Sequence, residues 1–165
     1  MSVEERPSGS VAIVVHRLAR LARRAPNRYD EEADLLVVNV DGSPPWSTSG
    51  TVVVEDTVVC TTNAEHVLLQ FELLRSRRSW RVDPELDTPV VAYSGALQFT
   101  SDTLTGYTAD DPATSVLTNI QYSAVCIRFG DPEVDEIWIA LSTQCMASIA
   151  GSRLKGFFVH LAMKQ

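Results

Sequence analysis

Apolar residues in this chain come only in short runs. The longest hold about five or six residues, as at 11–15 (VAIVV) and 137–141 (IWIAL), far short of the ~18 that an apolar helix needs to cross a bilayer. Several of these runs read as strands. Residues 35–40 (LLVVNV) are β-branched and short, and stop at the turn dipeptide Asp41-Gly42. Residues 51–61 (TVVVEDTVVCT) read as one strand, or as two short ones broken at Glu55-Asp56. Residues 90–99 carry a glycine interruption at Gly95, which suits a bulge or a bend. Residues 121–129 (QYSAVCIRF) alternate most cleanly. Tyr122, Ala124, Cys126 and Arg128 fall on one face, and Ser123, Val125, Ile127 and Phe129 on the other. Residues 136–141 read as the next strand, expected to pair antiparallel with the previous one across Gly130-Asp131-Pro132, and 156–163 as the last.

Three segments read as helices. In residues 10–25, Val11, Val14, Val15, Leu18, Leu21 and Ala22 recur at helical spacing, with Ser10 as N-cap and Pro26 as the stop. The alternative is a strand at 11–15 running into a basic turn. Asn63 can cap a second helix, AEHVLLQFELLRSR, whose alternative is the strand HVLLQFELL. Residues 142–150 read as a short helix ended by Gly151. Strands and helices do not alternate regularly, which disfavours a doubly wound parallel sheet. The expectation is an α+β fold, a mostly antiparallel sheet of about six strands with two or three helices. The neighbouring possibility is a β-sandwich or jelly roll with inserted short helices. A length of 165 residues fits a single domain, divided here into a basic N-terminal arm, 1–28, and a β-rich globular domain, 29–165.

Charge is segregated along the chain. Residues 1–28 hold six Arg and two Glu, and residues 29–74 hold nine acids and no Lys or Arg. Residues 75–81 (RSRRSWR) hold four Arg and no acid; residues 82–136 hold ten acids and one Arg; residues 137–165 hold three bases and no acid. Blocks of opposite sign can attract within a molecule or between copies, and can turn a basic face towards a polyanion. Twelve of the fourteen bases are Arg, whose planar fork binds phosphate and carboxylate with two parallel hydrogen bonds.

Motifs for chemistry are scarce. There is no Walker loop, no G-x-G-x-x-G and no G-x-S-x-G. His16, His66 and His160 are dispersed without nearby ligand partners, so no metal or cofactor is expected. The acid pairs Asp110-Asp111 and Asp135-Glu136 read as solvated turns, because neighbouring residues on a strand point apart. Cys60, Cys126 and Cys145 read as reduced buried thiols. Cys145, near the start of the expected short helix, is the best nucleophile candidate, with Cys126 second and His66 or His160 as the base.

The basic clusters are the least ordinary feature. Arg75, Arg77, Arg78 and Arg81 surround Trp80, a combination suited to phosphate binding and base stacking. The N-terminal segment adds Arg17, Arg20, Arg23, Arg24 and Arg28. Read as an amphipathic helix, that segment could equally lie on an anionic membrane or dock on the core. The expected function is a non-enzymatic structural protein that self-associates as a homo-oligomer and contacts nucleic acid or an anionic membrane through these ten residues. Its layout is that of small-virus coat and matrix proteins, by architecture alone. The alternatives are a small Cys-dependent hydrolase and an adaptor whose acidic blocks bind a basic protein partner. The N-terminal residues lack a signal-peptide pattern, which leads to an intracellular expectation.

Overall fold

The computed structural model of the protein describes residues 11–19, 27–40, 49–54, 57–100 and 114–161. Among them there is no α-helix, and the helical piece present is one 3-10 turn, Arg77–Ser79. No helix of the described residues is long and apolar enough to cross a membrane. The expected α+β fold is therefore corrected to a nearly all-β one, in two sheets.

The smaller sheet has five antiparallel strands in the order β2 (Arg28–Asp30), β3 (Leu35–Asn39), β6 (Leu68–Leu73), β5 (Val58–Thr62), β4 (Gly50–Val54). The larger has eight, in the order β1 (Val11–Arg17), β8 (Val91–Phe99), β11 (Ile137–Ser142), β12 (Cys145–Ala150), β13 (Arg153–His160), β10 (Ala124–Phe129), β9 (Thr114–Thr118), β7 (Arg81–Val82). Its pairings are antiparallel except β8 with β11 and β7 with β9. The start of β13 also pairs with β1, at Val11 with Leu154, so the chain of pairings β1, β8, β11, β12, β13 returns to β1. Beyond Gly156, β13 takes β10 as its neighbour instead. A Cβ on Gly156 would lie 2.2 Å from the carbonyl oxygen of Ile127, so only glycine lets the two backbones approach there.

The sheets face each other across one core. Phe71 of the small sheet stacks on Phe157 of the large one, ring centroids 4.2 Å apart, and Phe129 meets Phe157 edge to face. Val125, Ile127 and Phe129 point into this core, while Ala124 and Cys126 join Phe158 in a smaller cluster on the outer face, closed by Leu86, Leu117, Trp138 and Met146.

Where the expected helices fall on described residues they are strands and turns, for identifiable reasons. Val11 and Ile13 are buried while Val14 and His16 are exposed, a period of two that hydrogen-bonds β1 to β8. Asn63 does cap something, but its Oδ1 accepts from the N–H groups of Glu65 and Val67, closing a tight turn with His66 at φ +66°. The chain then enters β6, a central strand between β3 and β5, where cross-strand packing overrides helix propensity. Residues 142–145 form a hairpin turn into β12, and Gly151, at φ +60°, turns the next hairpin. The expected hairpin of residues 121–129 with 136–141 does not form: β10 pairs with β9 and β13, and β11 with β8 and β12. The intervening loop is instead tied across the sheet, Glu136 to Arg128 and Glu133 to Arg153 and Lys155.

Candidate functional site

Three described segments converge around one cleft. Asn27 is buried just before β2. Its Nδ2 donates to the carbonyls of Gln144 (3.1 Å) and His160 (3.0 Å), and its Oδ1 accepts from the Asn39 N–H (3.0 Å). One side chain thus fastens β2 and β3 to the large sheet and fixes where Tyr29 emerges. After Tyr29 the chain reverses: Asp30 Oδ1 accepts from the N–H groups of Glu32 and Ala33, both at 3.0 Å, and Asp34 takes φ 52° before β3 begins.

The second contribution follows β6. Ser76 caps the 3-10 turn by accepting from the Arg78 N–H at 3.3 Å, and Trp80 anchors its end. Trp80 is 4% exposed, meets Tyr29 edge to face, and donates from Nε1 to the Arg75 carbonyl. The expectation that Trp80 offers a stacking platform is corrected: an indole this large gains more by filling the core under the arginine turn. The third contribution is the turn between β9 and β10. Asn119 Oδ1 accepts from the N–H groups of Ser123 and Ala124, which presents Tyr122 at φ 56°.

Between these segments lies an open cleft of about 610 Å³, lined by Tyr29, Glu31, Asp34, Ser76, Arg77, Arg78 and Tyr122. Arg77 is its centrepiece. Its N–H donates to Tyr29 Oη at 3.3 Å, and its guanidinium carbon lies 4.6 Å from the Tyr122 ring centroid and 5.5 Å from that of Tyr29. Cation–π contact with two rings holds the half-buried guanidinium in place without a carboxylate partner.

Of the ten basic-cluster residues, the structure brings only Arg77 and Arg78 together in this cleft. Arg75 is half-buried beside it and supplies the carbonyl that Trp80 uses. Arg28 and Arg81 are exposed on β2 and β7. Arg17 sits elsewhere, at the end of β1, with its guanidinium 4.2 Å from the Tyr93 ring centroid. Arg20, Arg23 and Arg24 lie outside the described residues. Residues 11–17, the first half of the expected amphipathic helix, form a strand of the sheet instead, and 20–25 lie outside the described residues. Sequence reasoning missed Tyr29, Asp34 and Tyr122. Their local signals are turn chemistry, and nothing local links them to Arg77.

Ion pairing separates the arginines into two groups. Arg128 pairs with Glu136, and Arg153 and Lys155 with Glu133. Burial alone would raise the Glu136 carboxyl. Hydrogen bonds from Arg128, from Ser148 Oγ and from the Glu133 N–H outweigh it and bring the group down to about 2. The hydrogen bond from Arg153 holds Glu133 below its ordinary value as well. By contrast Arg17, Arg28, Arg75, Arg77, Arg78 and Arg81 form no ion pair with any described carboxylate.

The thiols have the opposite environment from a nucleophile's. Burial pushes Cys60 and Cys145 far above the usual thiol range and Cys126 up to about 11, and burial lowers His160. Among the described residues no cysteine hydrogen-bonds a histidine, and no three His, Cys, Asp or Glu side chains gather as metal ligands. No protein-family model matches the chain, and no curated protein matches it.

Proposed function

We propose that the protein is a non-catalytic binding protein that contacts single-stranded nucleic acid at the Tyr29–Arg77–Tyr122 cleft. The observation that carries this reading is the set of six arginines without a described carboxylate partner, one of them packed against two tyrosine rings. Guanidiniums free of carboxylates are available to phosphates, and a tyrosine–arginine layer can stack an unpaired base. The self-association expected from charge segregation belongs to the same proposal. Acidic stretches at 30–34 and 83–87 occur on the same chain as the uncommitted arginines, so two copies offer each other complementary charge.

The test is fluorescence anisotropy of a labelled single-stranded oligonucleotide over a salt series, with light scattering on the same samples. If Arg75, Arg77, Arg78 and Arg81 each meet a phosphate, the log–log salt slope is about −3. Arg78→Ala and Arg81→Ala, both exposed, should each reduce that slope by about 0.7. No binding at about 50 mM salt, or binding indifferent to salt, overturns the reading.

A further inference from the structure

The cleft holds a feature that phosphate binding leaves unexplained. Two carboxylates, Glu31 and Asp34, line it together with Arg77 and Arg78. A site built for phosphate alone would exclude them, because like charges at close range repel the ligand. Asp34 is not there to neutralise the arginines, since it forms an ion pair with neither. The Asp30-capped turn brings the exposed Asp34, in the left-handed backbone region, to the cleft's lining.

An ionised carboxylate only accepts hydrogen bonds. A ligand must therefore bring N–H donors to one side of the cleft and negative charge to the other. Among nucleobases, cytosine carries an exocyclic amine at position 4, where uracil carries a carbonyl acceptor. Uracil's one donor on that edge, N3–H, lies between two carbonyls, so a carboxylate that accepts from it also meets acceptors on both sides. Resting on the nucleic-acid reading above, we infer that Asp34 selects the base held in the cleft, favouring those with an exocyclic amine, cytosine foremost, over uracil. The phosphates of the same strand lie on Arg78 and its neighbours, and Ser76 adds a hydroxyl that can donate or accept.

Oligocytidylate and oligouridylate of twelve residues make the discriminating pair. They share ring size and backbone and differ on the pairing edge: cytosine offers its exocyclic amine beside the N3 acceptor, uracil a single N3–H between two carbonyls. Anisotropy at matched salt should show oligocytidylate bound about tenfold more tightly, the low end of what one good base contact provides. Asp34→Asn keeps a residue that tolerates the left-handed region, so the fold is retained, which a thermal melt checks. Its amide can donate to the uracil carbonyl, so the preference should fall to within about twofold while the salt slope stays unchanged. Equal affinity for the two oligomers, or a preference that survives in Asp34→Asn, overturns the inference and leaves the nucleic-acid reading standing. Failure of both oligomers to bind overturns the nucleic-acid reading itself, and this inference with it.

Discussion

Replacing Asn27 by leucine should destabilise the protein out of proportion to the size of the change. Leucine is close to isosteric with asparagine and suits a site only 2% exposed, so packing is nearly conserved. What goes is three hydrogen bonds, at 3.0–3.1 Å, that join the end of β3 to the turn before β12 and to the end of β13. The Gln144 carbonyl keeps the His160 N–H as a second donor, so its loss is partial. The His160 carbonyl and the Asn39 N–H, both on half-buried residues, lose a partner, which costs about 1.5–2 kcal/mol each. The sum is about 3–4 kcal/mol, a large share of the roughly 5–15 kcal/mol that holds a domain folded. With a urea m-value of about 2 kcal/mol/M, the midpoint should fall by about 1.5–2 M. Asn27→Asp provides a control with its own signature. The carboxylate keeps an acceptor for Asn39 but faces two carbonyl oxygens. This variant should be poorer than wild type at pH 7 and recover as the pH falls and the group gains a proton. A loss under about 1 kcal/mol in Asn27→Leu, or an Asn27→Asp variant indifferent to pH, would refute the role assigned to this side chain.

Three further outcomes follow from the same geometry. Glu136 is held near 2 in the folded protein against an ordinary value of 4.5, so its contribution is complete above about pH 5 and is lost as the pH falls towards 2. Glu136→Gln should cost roughly 1–2 kcal/mol at pH 7, with the difference from wild type vanishing by about pH 2, as read by urea denaturation across that range. Gly156→Ala forces a Cβ to within 2.2 Å of the Ile127 carbonyl oxygen, and should cost at least about 3 kcal/mol or prevent folding, as read by circular dichroism and expression in soluble form. Tyr122→Asn places a residue that accepts the left-handed region where a bulky one sits at φ 56°. Relief of the strained backbone offsets part of the lost ring packing, so stability should fall by no more than about 1–2 kcal/mol in a thermal melt, while oligonucleotide affinity drops at least about fivefold.

Strand positions were largely legible because their signal is local. Residues 35–40, 90–99 and 121–129 each carry β-branched or alternating patterns, and β3, β8 and β10 lie within them. The face assignment along 124–129 was legible too, with Val125, Ile127 and Phe129 inward. The helices were misread where one pattern satisfies two periods. In 11–18, Val11, Val14, Val15 and Leu18 fit helical spacing, while Val11, Ile13 and Val15 fit a strand. Only the β8 partner decides between them. Residues 64–77 are good helix formers, and their position between β3 and β5 is a fact of tertiary packing. The parallel pairing of β8 with β11 and the return of β13 to β1 join segments far apart in sequence and leave no local trace. Of the site, the arginine block at 75–81 was visible as charge. Trp80 within it was not distinguishable from an exposed platform, because burial depends on Tyr29.

The placement of strain in the molecule bears on why the cleft exists. Three described residues other than glycine have positive φ, Asp34, His66 and Tyr122, and two of these line the cleft. Aspartate tolerates that region because its short side chain bonds locally, but tyrosine gains nothing from it. The backbone alone would favour glycine or asparagine at position 122, and the ring offsets that strain by packing against the core and under Arg77. The turn is already determined without the ring, by Asn119 accepting from Ser123 and Ala124 and donating from Nδ2 to Ser123 Oγ. A surrounding structure that over-determines a strained residue is the condition under which such strain persists, and it concentrates where a side chain must be held out for a ligand. Tyr122 and Asp34 come from opposite sheets, and Arg77 comes from the connection between them. The only coordinate they share is the end of the sandwich where Asn27 ties the sheets together. The cleft is thus a seam between the two sheets that neither could build alone.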